Sequence, residues 1–102
     1  MVSEPLSSQA PTQYRAVHLI VYGMVQGVGF RYFTRTQAVR LGIAGWVRNR
    51  PDGTVEIWAE GPPDRLETLI KAVRRGPSYS RVDRVEVTWS SPKGHRGFYI
   101  RS

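Results

Sequence analysis

The run Gly23-Met24-Val25-Gln26-Gly27-Val28-Gly29-Phe30-Arg31 holds the residues best suited by type and spacing to do chemistry. Glycines have no Cβ, so backbone N–H groups can turn toward one point. A helical pattern starts at Phe30. The unpaired N–H groups of its first turn, and the positive end of its dipole, face the same point. Together these features make a cradle for a phosphate-sized anion. Arg31 falls in that first turn, where its planar fork of donors can close over two oxygens. The run is not a nucleotide P-loop, because no Gly-Lys-Ser/Thr follows. It is not a dinucleotide fingerprint, because Tyr32 stands where the third glycine belongs. The same residues also fit a tight turn whose glycines merely permit the bend, and the physics alone leaves both readings open.

The residues that are missing narrow the chemistry further. Cysteine is absent, which excludes disulfides, a thiolate nucleophile and cysteine-ligated metals. His18 and His95 are the two histidines, too few for a multi-histidine metal site, and neither is expected to be catalytic. The acids Asp52, Glu56, Glu60, Asp64, Glu67, Asp83 and Glu86 are scattered over turns, strand faces and helices. They read as surface solvation and local pairing, not as a magnesium cluster. No metal and no cofactor is expected.

The elements that must position the glycine run follow from hydrophobic periodicity. Val17, Leu19 and Val21 alternate along a strand that Gly23 stops. His18, out of phase with them, belongs on the other face. Phe30, Phe33, Ala38 and Leu41 fall on one side of a helix ended by Gly42, and the two phenylalanines read as helix-to-sheet core. Ala44 to Asn49 reads as a second strand, Pro51-Asp52-Gly53 as a turn, and Thr54 to Glu60 as a third strand. The short connection makes a hairpin. Trp46 and Trp58 fall opposite the apolar set, where they cover the second sheet face or line a site mouth. Gly61-Pro62-Pro63-Asp64 opens a second helix, with Leu66, Leu69, Ile70 and Val73 on its stripe and Gly76-Pro77 as its stop. Arg81 to Ser90 alternates imperfectly and reads as a strand. Phe98-Tyr99-Ile100 is a short last one. The order β-α-β-β-α-β plus a terminal strand predicts an α+β, ferredoxin-like two-layer sandwich, with two helices on one face of a mainly antiparallel sheet.

At 102 residues the chain is sized for one domain. Residues 1–14, with two prolines and three serines, read as a flexible tail, and residues 15–102 as a single domain. No apolar run reaches the roughly 20 residues of a membrane helix. The start lacks a signal-peptide pattern, so a soluble cytoplasmic protein is expected. The formal net charge is +7, and every basic residue except Lys71 and Lys93 is an arginine. This excess reads either as attraction for an anionic partner or as a solvated surface. A nucleic-acid-binding module of the same fold is one alternative, since Arg96-Gly97-Phe98 echoes an RNA-recognition signature. Tyr99 breaks that signature, and the stretch sits at the chain end instead of on a central strand. No nucleic acid is therefore expected.

Gly23 to Arg31 also resembles the signature of the acylphosphatase family. Gly42-Ile43-Ala44-Gly45-Trp46-Val47-Arg48-Asn49 is similar to that family's second signature. Asp52-Gly53-Thr54-Val55, Glu60-Gly61 and Phe98-Tyr99-Ile100-Arg101 continue the likeness, which spans about residues 15–102. The resemblance implies the ferredoxin-like fold and metal-independent hydrolysis of acyl phosphates to a carboxylate and inorganic phosphate. It implies Arg31 as the phosphate-binding arginine and Asn49 as the residue that orients water. Read alone, Asn49 is a strand-end cap or turn former. The resemblance further implies a phosphate loop of backbone N–H groups from Gly23, Met24, Val25, Gln26, Gly27, Val28, Gly29 and Phe30. Arg50 follows Asn49 where many relatives carry a small or polar residue, and its charge could add attraction for the anion. The expected partner is a small acyl phosphate, with phosphate or sulfate as the bound anion, and the expected state is a monomer. Two alternatives share the loop and the asparagine. One is the acylphosphatase-like domain of larger carbamoyl-transfer maturation proteins, disfavoured because this chain holds one domain. The other is a catalytically dead ligand sensor, disfavoured by Arg31 and Asn49.

Overall fold

The structure, a computed structural model, describes residues 13–102. Of the expected tail, residues 1–12 lie outside the described residues. Strand β1 spans Arg15–Met24, helix α1 Phe30–Leu41, strand β2 Ala44–Asn49 and strand β3 Val55–Gly61. Helix α2 spans Pro63–Arg75, strand β4 Arg81–Ser90 and strand β5 Phe98–Arg101. The strands form one sheet in the order β4-β1-β3-β2-β5. Neighbours run antiparallel except β2 and β5, which are parallel. This is the ferredoxin-like arrangement, with β5 added beside β2.

Both helices lie on one face of the sheet. Phe30 and Ala38 from α1, and Leu66, Leu69, Ile70 and Val73 from α2, share one buried cluster with Val17, Leu19, Val21, Val47, Val55 and Ile57 from the strands. Each large aliphatic side chain buried there contributes roughly 1.5–3 kcal/mol. In α1 the buried positions are Phe30, Thr34 and Ala38, while Phe33 is half-buried. A stripe through Phe33 is thus corrected to one through Thr34. The Thr34 hydroxyl donates to the Phe30 carbonyl at 2.9 Å, so its polar atom is satisfied within the helix and only its methyl faces the core.

The imperfect alternation of β4 has a local cause. The register passes from Tyr22↔Arg84 to Gly23↔Val82, leaving Asp83 as an extra residue. This β-bulge returns Val82 to the core side and leaves Asp83 exposed. Gly23 is required at the bulge. Its φ is +134°, and a Cβ there would stand 2.0 Å from the Arg81 carbonyl oxygen.

His18 lies on the sheet face away from the helices, as its phase predicts, with Nε2 2.6 Å from Glu56 Oε2. Glu56 also accepts from Arg48 Nε at 2.6 Å. Trp58 is buried on the same face. Glu60, expected at the surface, is only 2 % exposed. Its carboxylate accepts from Trp58 Nε1 at 2.6 Å and from the backbone N–H groups of Lys93, Gly94 and His95 at 2.9, 3.1 and 3.0 Å. The carboxylate therefore holds the β4–β5 connection.

Candidate functional site

Strand pairing brings the two signatures to one end of the sheet. Val55 pairs with Val21 on one side and with Asn49 on the other. The ends of β1 and β2 are thus two strand spacings apart, about 10 Å. The glycine run leaves β1 at this end and enters α1. Gly29 caps that helix with φ 77° and ψ 18°, a left-handed conformation natural to glycine. It has no side chain to cap the helix, and the first turn of α1 contains no acid. Its free N–H groups and dipole therefore face outward unneutralised. By contrast, α2 carries Asp64 in its first turn.

A cavity of about 140 Å³ opens at this helix end. Val25, Gly27, Gly29, Phe30, Arg31, Tyr32 and Asn49 line it. The structure thus brings Arg31 and Asn49, eighteen positions apart in sequence, to the same small space. Asn49 Oδ1 is buried and has no hydrogen-bond partner in the protein. A buried acceptor of this kind is costly unless something in the cavity donates to it. None of the ion pairs among the described residues includes Arg31, so its positive charge is uncommitted. The space suits a compact anion with several oxygens, and it offers a guanidinium, a side-chain amide and the N–H groups of a helix start.

Other residues of the glycine run sit elsewhere. Gly23 and Met24 continue β1, paired with Val82 and Arg81, and do not line the cavity. Met24 is exposed and Val28 packs against the core. The Gln26 side chain turns away to the β2–β3 turn, donating to the carbonyls of Arg50 and Thr54 at 2.7 and 2.8 Å. Arg50 does not line the cavity; its guanidinium lies 3.7 Å from Asp52. Asp52 itself braces the turn, accepting from the Thr54 N–H at 3.0 Å and the Thr54 hydroxyl at 2.6 Å. Those bonds hold its carboxyl below the usual carboxylate range. Tyr32, absent from the sequence candidates, is 69 % exposed at the cavity rim. Its place one residue after Arg31, still in the first helical turn, is the signal that could have found it. No group of metal-ligating side chains assembles among the described residues, and none of their helices is long and apolar enough to cross a membrane.

The fold and this cavity define a ferredoxin-like α+β protein with a small recess, lined in part by Arg31 and Asn49, beside the start of its first helix. The sequence model of the acylphosphatase family matches residues 17–100. An acylphosphatase of Thermococcus kodakarensis is 54 % identical over 83 residues, 81 % of this chain and 91 % of that protein. The crystal structure of acylphosphatase from Bacillus subtilis superposes with a TM-score of 0.85 at 47 % identity, covering 86 % of this chain and 99 % of that one. Full-length HypF, in its phosphate- and nucleotide-bound form, superposes at 0.79 and 29 % identity over 88 % of this chain but only 12 % of its own. The chain belongs to the acylphosphatase family, and its activity is hydrolysis of the carboxyl–phosphate bond.

Proposed function

We propose that the cavity at the start of α1 is where this hydrolysis occurs, with Arg31 and the backbone N–H groups around Gly27 to Phe30 gripping the phosphoryl group and Asn49 aiming the attacking water. The observation that carries the reading is the meeting of an uncommitted guanidinium and an unpartnered buried amide oxygen in one recess. A carboxylate is a weak base and leaves readily, so little protonation of the leaving oxygen is needed. The remaining demands are neutralised phosphoryl charge and a placed nucleophile. Arg31 meets the first demand with a permanent charge and two parallel donors. The loop amides add preorganised dipoles. Asn49 Oδ1 accepts a hydrogen from the water, fixing its direction without a titratable group. The water oxygen bonds to phosphorus, the bond from phosphorus to the acyl oxygen breaks, and its electron pair leaves with the carboxylate. The water proton passes to a phosphoryl oxygen.

The test is hydrolysis of benzoyl phosphate by the Arg31→Ala variant. Losing such a donor should cost at least about 3 kcal/mol of transition-state stabilisation, more than a hundredfold in kcat/KM. The fold should survive, because Arg31 is half-buried and pairs with no acid among the described residues. Inorganic phosphate and sulfate should compete with the substrate, and a chelator should leave the rate unchanged. Near-normal turnover by Arg31→Ala would falsify the assignment.

A further inference from the structure

The carboxamide of Gln26 lies outside the recess, yet it spans the two bodies that form it. Its Nε2 donates to the Arg50 carbonyl at 2.7 Å and to the Thr54 carbonyl at 2.8 Å. Those carbonyls are the ones that close the β2–β3 turn. The Arg50 carbonyl also accepts from the Gly53 N–H at 3.1 Å, and the Thr54 carbonyl from the Arg50 N–H at 2.9 Å. Both donors of one amide are thus spent on the turn that begins one residue after Asn49. Among the described residues, no other hydrogen bond joins residues 25–29 to residues 50–54. The β1–β3 pairing ends at Val21↔Val55, so the loop from Val25 to Gly29 lies beyond it, and Asn49 sits across β3 at the end of β2.

We propose that Gln26 is a positioning residue for the hydrolysis: its side chain fixes the anion loop against the β2–β3 turn and so sets the distance from the bound phosphoryl group to Asn49. The inference rests on the roles given above to the recess, Arg31 and Asn49. The chemistry asks for two things to be in register, a phosphorus atom held by the loop and a water held by Asn49. An error near 1 Å between nucleophile and phosphorus costs on the order of a hundredfold in rate. The anion itself is held by the loop and Arg31 alone, so its affinity does not depend on where the hairpin sits. Gln26 therefore acts on turnover and not on anion binding.

The experiment compares Gln26→Leu with the parent enzyme on benzoyl phosphate, with inorganic phosphate as competitive inhibitor. Leucine keeps the volume and removes both donors. The expected result is a 10- to 100-fold fall in kcat, with the phosphate inhibition constant changed less than threefold. In the Asn49→Ala background the same substitution should cost less than threefold, because the water it helps to place is already unplaced. Gln26→Asn, one methylene shorter and equally polar, serves as the second variant should leucine prevent folding; it too cannot reach both carbonyls. Equal losses in turnover and phosphate affinity would show a collapsed loop and overturn the proposal. So would additive losses with Asn49→Ala, or parental turnover in either folded variant. Failure of the underlying reading is separate: Asn49→Ala or Arg31→Ala would then turn over normally, whatever Gln26 does.

Discussion

Replacing Glu60 by Gln changes one atom and little volume, so its effect isolates a charge. In the parent, four N–H donors converge on the two carboxylate oxygens, two on each. The glutamine keeps one acceptor oxygen, which satisfies two donors. Its NH₂ then faces the other two. A buried donor left without an acceptor costs about 1–3 kcal/mol, and the Lys93–His95 segment can turn part of that loss toward water. The expected destabilisation is therefore about 2–4 kcal/mol, or roughly 10–25 °C in Tm for a domain of this size. Urea and thermal melts at neutral pH would measure it. The pH dependence supplies a second check. Burial alone would raise the Glu60 pKa, but the Trp58 N–H and the three backbone amides outweigh it and hold the carboxyl below its ordinary 4.5. A lowered folded-state value means the unfolded chain binds more protons, so stability rises with pH in that window. The contribution is complete above about pH 4.5 and fades as pH falls through the folded value. Below it the protonated parent resembles the glutamine variant, and their melting curves should converge. A Tm difference under 4 °C at pH 7, or one that persists unchanged at pH 3, would refute the reasoning.

Two glycines of the signature run should respond to alanine with very different losses of stability. Gly23→Ala drives a Cβ to 2.0 Å from backbone, which no side-chain motion can relieve, and should cost on the order of 3 kcal/mol or prevent folding. Gly29→Ala has no atom within 4 Å of the new Cβ and pays only the left-handed strain of about 1–2 kcal/mol; melts of the two variants decide. Asn49→Ala should lower kcat at least tenfold while changing the phosphate inhibition constant little, if its proposed role is to aim water and not to hold the anion; parallel losses would move its role to anion binding.

The parts of this structure legible in the sequence are those whose cause is local. The β1 and α2 stripes, the stop at Gly42 and the Pro51–Gly53 turn follow from periodicity and from φ, and the element order then fixes the sandwich. The recess is legible only in part: glycines, a helix start and Arg31 lie within nine consecutive residues, but those residues fit a plain turn equally well, and Asn49 reaches the recess only through strand pairing. Residues whose role depends on a distant partner are not legible this way. The bulge that displaces Asp83 exists because Gly23 on another strand lets the backbones approach. Glu60 finds its amides 33 to 35 positions later, and Gln26 finds its carbonyls 24 and 28 positions later. A carboxylate in an alternating strand and a glutamine in a glycine loop both look solvated until tertiary contacts place them.

The site also explains why so little titratable chemistry is present. A general base must sit near the working pH, and tuning a carboxylate or histidine that far takes burial and a charged neighbour. In this protein burial and neighbours are spent elsewhere: Glu56 and Glu60 are held ionised by their partners, on the sheet face away from the helices. The recess is lined by a guanidinium, an amide, backbone dipoles and the Tyr32 ring, with no carboxylate or imidazole among them. Turnover should therefore be flat between about pH 5 and 9 apart from ionisation of the substrate itself. A bell-shaped kcat profile with an enzyme pKa near 7 would require a general base that this arrangement does not contain.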